Sequence, residues 1–247
     1  MKTTGNTILI TGGGSGIGRE LAKSFNALGN TVIVAGRHVE TLQETIAGRN
    51  DMHAIVLDVE DPDAIAELAE RVRERHPALN VLINNAGIMR RENLAQMRDL
   101  HDAEQTIATN LLAPIRLTNA LIDHLVSQND AAVVNVSSGL AFVPMSSTPT
   151  YNATKAAIHS YTVSMREQLK GRVEVIELAP PAVQTELTPG QSSREGYMPL
   201  DAFIEEAMGL FLHKPTPKEI LVERVSFLRW AERNGNFDRA VEMLGAH

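Results

Sequence analysis

Near its start the chain reads TILIT and then, from residue 11 to residue 18, TGGGSGIG. A β-branched run that enters a glycine turn and leaves as a helical pattern (Ile17, Leu21, Phe25 and Leu28 on one stripe) has few folding options. The helix must fold back onto the strand, and the glycines permit the tight reversal. The same alternation then repeats. Short, nearly continuous apolar runs occur at 31–35, 53–57, 81–84, 131–137 and 173–178. Helically spaced stretches at 39–47, 62–76, 100–127 and 151–170 separate or follow them. Asp61-Pro62 supplies an N-cap and a first helical residue. Strands with no polar face, alternating with helices, imply parallel βαβ units. The expected fold class is α/β, a Rossmann-type doubly wound parallel sheet of six or seven strands with helices on both faces.

At 247 residues the chain can form one sizeable core, so residues 1–247 read as a single domain. The formal charge of −7 argues against a nucleic-acid surface and against docking on anionic lipid. The lack of cysteine excludes disulfides and thiol nucleophiles. No apolar run approaches membrane-spanning length, and the expected location is the cytosol. The histidines show no metal-ligand spacing, so no metal site is expected. Arg90 and Arg91 read as solvated charges, with a substrate contact as the alternative.

Glycines 12, 16 and 18 give a tight turn, close backbone approach and close helix–strand packing. The free N–H groups of Ser15, Gly16, Ile17 and Gly18 then suit a pyrophosphate. The second strand ends Gly36-Arg37, without the carboxylate that binds a ribose 2′-hydroxyl. Arg37 offers a planar cation for a 2′-phosphate. This favours NADP, with NAD as the alternative.

Tyr151 and Lys155 lie four apart and share a helix face, and Ser138 precedes Tyr151 by 13 residues at a strand end. TGGGSGIG, the NNAG of 84–87, Ser138 and the YNATK of 151–155 occur in that order and spacing. With these motifs the chain, over about residues 5–185, resembles a single-domain short-chain dehydrogenase/reductase. The resemblance implies an NADP(H)-dependent oxidoreductase moving a hydride between a nicotinamide and a small-molecule carbonyl or secondary alcohol. It implies Tyr151 as general acid/base and Lys155 as the cation that supports it and holds the nicotinamide ribose. Ser138 would hydrogen-bond the substrate oxygen, and Asn110 would hold a water linking Lys155 to solvent. Asp58 would contact the adenine. Asn85, Ala86 and Gly87 would lie along the cofactor, with Pro180, Val183 and Thr185 at the nicotinamide end. Strand alternation points Ser137, the rival of Ser138, to the opposite face. The alternatives are an NAD-linked alcohol dehydrogenase and a non-catalytic dinucleotide-binding sensor or scaffold.

Two stretches depart from the family pattern. Pro180-Pro181 stands where Pro-Gly is common, which fixes φ and removes an N–H at 181. The ELAPPAVQTEL of 177–187 and the 223–238 ending are similar to a bacterial subgroup named after the D-alanyl-lipoteichoic-acid locus. A lid is expected over 186–213, with an apolar side that includes Met198, Phe203, Met208 and Phe211. Thr216-Pro217 should open a helix running to about 233. The closing seventh strand should be absent or very short, with a short helix or frayed tail over 239–247. Small residues on the 151–170 helix (Ala153, Ala156, Ala157, Ser160, Ser164) suggest a homodimer through that helix and the 100–127 helix.

Overall fold

The computed structural model describes residues 1–245. Among them a seven-stranded parallel sheet has the order β3-β2-β1-β4-β5-β6-β7. Its strands are β1 (Thr7–Thr11), β2 (Thr31–Gly36), β3 (Met52–Val56), β4 (Leu79–Asn84), β5 (Ala132–Val136), β6 (Glu174–Leu178) and β7 (Glu219–Ile220). Every residue of β4 and β5 is buried, as expected of strands covered on both faces.

One face packs under α1 (Gly16–Ala27) and α7 (Leu200–Phe211), where the rings of Phe25 and Phe211 meet edge-on at 5.4 Å. The other face packs under α3 (Pro62–Arg75), α5 (Ala113–Ser127) and α6 (Pro149–Gln168). Asp61 caps α3 through its carboxylate, which accepts from the N–H groups of Asp63 and Ala64, and Pro62 follows at the first helical position. The remaining helices are α2 (Val39–Ile46), α4 (His101–Ile107), α8 (Glu223–Arg229) and α9 (Phe237–Gly245).

From β1 the chain winds outward to β2 and β3, then returns to place β4 on the other side of β1. The loops after β1 and β4 therefore diverge. They open a crevice at the carboxyl ends of the strands, where doubly wound sheets bind ligands.

Three expectations need correction. The 100–127 stretch is not one α-helix: between α4 and α5 the chain makes a π-helical turn over Ala108–Leu112. Thr216-Pro217 opens no helix. The apolar Ile220 is fully buried beside Leu178, which turns Glu219–Ile220 into a short edge strand, and the helix begins only at Glu223. The seventh strand is two residues long, as short as expected, and lies well before the 234–238 segment. The predicted lid is also divided. α7 buries Phe203, Ile204, Ala207, Met208 and Phe211 in the core, so within 186–213 only the part before α7 lines the crevice. Of the 239–247 tail, residues 239–245 belong to α9, and residues 246–247 lie outside the described residues.

Candidate active site

The crevice holds a cleft of about 400 Å³ that runs from the glycine turn to Tyr151 and Lys155. Gly12 adopts φ +65°, a region L side chains disfavour. A Cβ on Gly18 would run into the Gly12 carbonyl and the Asn85 amide, so the turn and the helix can touch only through glycine. The turn is tied to the loop after β4. The Thr11 hydroxyl accepts from the N–H groups of Asn85 and Ala86 at 3.1 Å each, and the Asn85 side chain donates to the Thr11 carbonyl at 2.9 Å. Ser15 makes no side-chain cap on α1, and no acidic residue occupies the first turn. The first N–H groups of α1 therefore keep their partial positive charge beside the cleft, a cradle that fits a pyrophosphate.

Arg37 follows β2 at the far end. Its side chain is half-exposed and 3.8 Å from the Glu60 carboxylate. It borders a side compartment of about 160 Å³ lined also by Gly36, Thr41, Leu57, Val59 and Glu60. Asp58 is not in that lining. It is exposed to solvent and accepts from the Glu60 N–H at 3.0 Å. Leu57 and Val59, its neighbours in the loop after β3, line the compartment. Glu60, which spacing did not single out, lies there and accepts from the Thr109 hydroxyl at 2.7 Å.

At the near end the side chains of Tyr151 and Lys155 are buried at 6% and 4% exposure. The Lys155 ammonium lies 5.6 Å from the Tyr151 ring centre and donates to the Val136 carbonyl at 2.9 Å. Burial pushes the Tyr151 phenol up to about 12, with the facing Ser138 side chain pulling the other way. Burial pushes the Lys155 ammonium down to about 8. Ser138 lies two residues beyond β5 in extended conformation, and its hydroxyl accepts from the Leu140 N–H at 3.1 Å. Ser137 points elsewhere, as alternation required: its hydroxyl donates to the Glu177 carboxylate.

Asn110 lies within the π-turn. Its Nδ2 donates to the Ile88 carbonyl at 2.8 Å and its Oδ1 accepts from the Ile88 N–H at 2.9 Å. A Cβ on Gly87 would lie between the Asn110 carbonyl oxygen and the Lys155 ammonium, at 3.4 and 3.6 Å. The extra residue of a π-turn re-aims a side chain, which brings Asn110 into the group. Gly12, Ser15, Gly16, Ile17, Gly18, Arg37, Asn85, Ala86, Gly87, Pro180, Val183 and Thr185 all line the main cleft with Ser138, Tyr151 and Lys155.

The cleft also contains Arg90, 3.7 Å from Asp102, and the buried Gln191, whose amide donates to the Val183 carbonyl at 2.8 Å. Sequence reasoning gave Arg90 a substrate contact only as the alternative to a solvated charge, and passed over Gln191, which sits in a polar loop without periodicity. A further compartment of about 310 Å³ adjoins Ser138 and Tyr151. Its walls are mainly apolar and include Met89, Met145 and Leu187, and Leu228, Met243 and Leu244 from α8 and α9.

This fold and crevice define a nicotinamide-dinucleotide oxidoreductase class. The short chain dehydrogenase family model matches residues 6–196, and the chain belongs to the short-chain dehydrogenase/reductase family. Over 248 aligned residues it is 41% identical to the Bacillus subtilis (strain 168) protein called uncharacterized oxidoreductase DltE, covering 99% of this chain and 98% of that one. It is 34% identical to a sulfoacetaldehyde reductase of Chromohalobacter salexigens over 73% of this chain and 74% of the relative. A short-chain dehydrogenase from Sphingobium yanoikuyae, solved in complex with NADPH, superposes with a TM-score of 0.81 at 26% identity, covering 96% of this chain and 95% of that one. No helix among the described residues is long and apolar enough to cross a membrane.

Proposed function

We propose that the protein transfers a hydride between NADP(H) and a carbonyl/secondary-alcohol pair, with Tyr151 as general acid/base. The observation that carries this reading is the burial of Tyr151 and Lys155 together at the end of a cleft whose other end is Arg37. The bound nicotinamide would supply the hydride chemistry. The chain's residues would do the rest. The 12–18 turn would hold the pyrophosphate, Asn85 to Gly87 would lie along the cofactor, and Pro180, Val183 and Thr185 would fix the nicotinamide end. Lys155 would hold the ribose and lend its charge. During reduction Tyr151 would donate its phenolic proton to the carbonyl oxygen, while Ser138 hydrogen-bonds that oxygen as charge develops. Asn110 would keep the Ile88 loop in place beside Lys155 and hold the water that links it to solvent.

The substrate body would enter the 310 Å³ compartment, whose mainly apolar walls fit a carbonyl compound with an aliphatic or aromatic body. A panel of aldehydes and ketones of increasing apolar size, read by NADPH absorbance, tests the whole reading. Turnover should rise with apolar bulk. Tight NADPH binding with no turnover across the panel would return the chain to a non-catalytic sensor.

The preference for NADP rests on Arg37 and the missing carboxylate at Gly36. Arg37→Asp is expected to weaken NADPH binding by about 10- to 100-fold, the loss of a charged hydrogen-bonded pair, while NADH binding holds or improves. Isothermal titration with both cofactors checks it, and unchanged NADPH affinity would favour the NAD-linked alternative.

The exposed face of α6 carries Ala153, Ala156, Ser160, Val163 and Ser164, and Ile107 and Leu112 are exposed on α4 and the π-turn. Small side chains let a second copy approach closely, which supports a homodimer through these helices. Light scattering should give twice the chain mass; a single-chain mass would remove this interface.

A further inference from the structure

Glu177 lies on β6 with its carboxylate completely shielded from solvent (0% exposed). A carboxylate in such a place must be paired. The Ser137 hydroxyl donates to one oxygen at 2.5 Å, and the His159 Nδ1 lies 2.7 Å from the other. These two partners belong to the two elements that carry the reacting groups. Ser137 immediately precedes Ser138 just beyond the end of β5. His159 lies on α6 one helical turn beyond Lys155 and two beyond Tyr151, on the same stripe. Lys155 ties the same two elements from its own side, through the Val136 carbonyl. The strand end bearing Ser138 is thus held to α6 twice, once by a buried ammonium and once by a buried carboxylate.

The surroundings favour the charged form of His159. His159 faces Glu177 from β6, Glu219 from β7 and Arg229 from α8, and its ring meets Phe142 edge-on at 5.1 Å. The hydrogen bond to Glu177 raises the His159 imidazole above its usual range. His159, Glu177 and Glu219 present ligand atoms within 4.8 Å of one another, but Arg229 already takes both oxygens of Glu219, at 2.9 and 3.0 Å. Glu219 is therefore taken up by Arg229 rather than free to share a metal ion with His159 and Glu177.

We infer that Glu177, bridging the Ser137 hydroxyl and the His159 imidazole, is a positioning residue that fixes Ser138 relative to Tyr151 and Lys155. The inference rests on the reading of those three as the reacting set. A constellation of this kind must be held within roughly half an ångström to work. Ser138 sits on a strand end followed at once by a one-turn helix, so it needs such a tether.

The test compares Glu177→Gln and His159→Gln with the wild type. In Glu177→Gln, hydrogen exchange at the 138–140 amides should rise at least about tenfold, with the 12–18 amides unchanged. Turnover of the best carbonyl should fall by about 10- to 100-fold while the NADPH Kd stays within about twofold. The pH dependence supplies a readout a merely structural role would not move. A raised histidine pKa means the pair is complete at low pH and is lost as pH rises through the folded value. Protection at 138–140, corrected for intrinsic rates, should therefore fall above that value in the wild type and lose this dependence in His159→Gln. Unchanged protection in both variants, or equal loosening at 12–18, would overturn the inference. Should Glu177→Gln not fold, the half-exposed His159→Gln decides alone. Absence of wild-type turnover on every carbonyl would count against the proposed function, and the exchange arm would still decide the role of Glu177.

Discussion

Tyr151→Phe is expected to lower turnover by about 10³-fold, with the NADPH Kd changed by less than about twofold. The substitution removes one oxygen and leaves the ring, so the buried packing beside Lys155 survives. General acid/base groups contribute about 10²- to 10⁴-fold, which sets the size of the loss. The Ser138 hydroxyl keeps its bond from Leu140, so the strand end should not move. Thermal melting should shift little, because the Ser138 hydroxyl, which loses the phenolic oxygen as a partner, lines the cleft and can take water instead. The environment also sets a direction. A phenol pushed up to about 12 is protonated at neutral pH and ready to donate, which suits carbonyl reduction. Reduction should decline as pH rises past about 8, where Lys155 loses its proton and Tyr151 its supporting cation. Stopped-flow NADPH oxidation at several pH values checks both. Near wild-type turnover in Tyr151→Phe would remove the proposed proton donor.

The parts of this site that sequence reveals are those fixed by short-range chemistry. The glycine turn is legible because only glycine can occupy Gly12 at φ +65° and lie against a carbonyl at Gly18. Tyr151 and Lys155 are legible because a four-residue spacing on a helix is itself a statement about geometry. The position of Asn110 is only half legible. Its residue type is visible, but the π-turn that re-aims it depends on packing between α4, α5 and α6, and no local pattern encodes it. Glu177 is illegible for a related reason. In sequence it is one acidic residue in an apolar run, and its partners come from 40 and 18 residues away. The error over Thr216-Pro217 has a different origin. Serine or threonine before proline is a common helix opening, but the adjacent apolar Ile220 gains more by burial beside β6 than a helix there would offer.

Lys155→Met is expected to abolish most turnover and yet raise the melting temperature. The ammonium is buried and, among the described residues, has one neutral hydrogen-bond partner, the Val136 carbonyl, and no paired carboxylate. Burial holds its pKa near 8 against an ordinary value of 10.5, so at neutral pH the folded state carries a charge it disfavours. That displacement corresponds to a cost on the order of 3 kcal/mol. Methionine matches the stem in length and can fill the same space, though it leaves the carbonyl without a donor, which returns about 1 to 2 kcal/mol of the gain. A net rise of a few degrees is the outcome for a chain of this size. The pH dependence fixes the cause. Between about 8 and 10.5 the unfolded chain still binds the lysine proton and the folded chain does not, so wild-type stability should climb across that window. In Lys155→Met this climb should be reduced by the contribution of one proton. Denaturant melts at pH 7, 8, 9 and 10 measure it directly. A variant that is less stable at pH 7 with the same slope as wild type would mean that Lys155 is held by favourable contacts rather than retained at a cost for its role beside Tyr151.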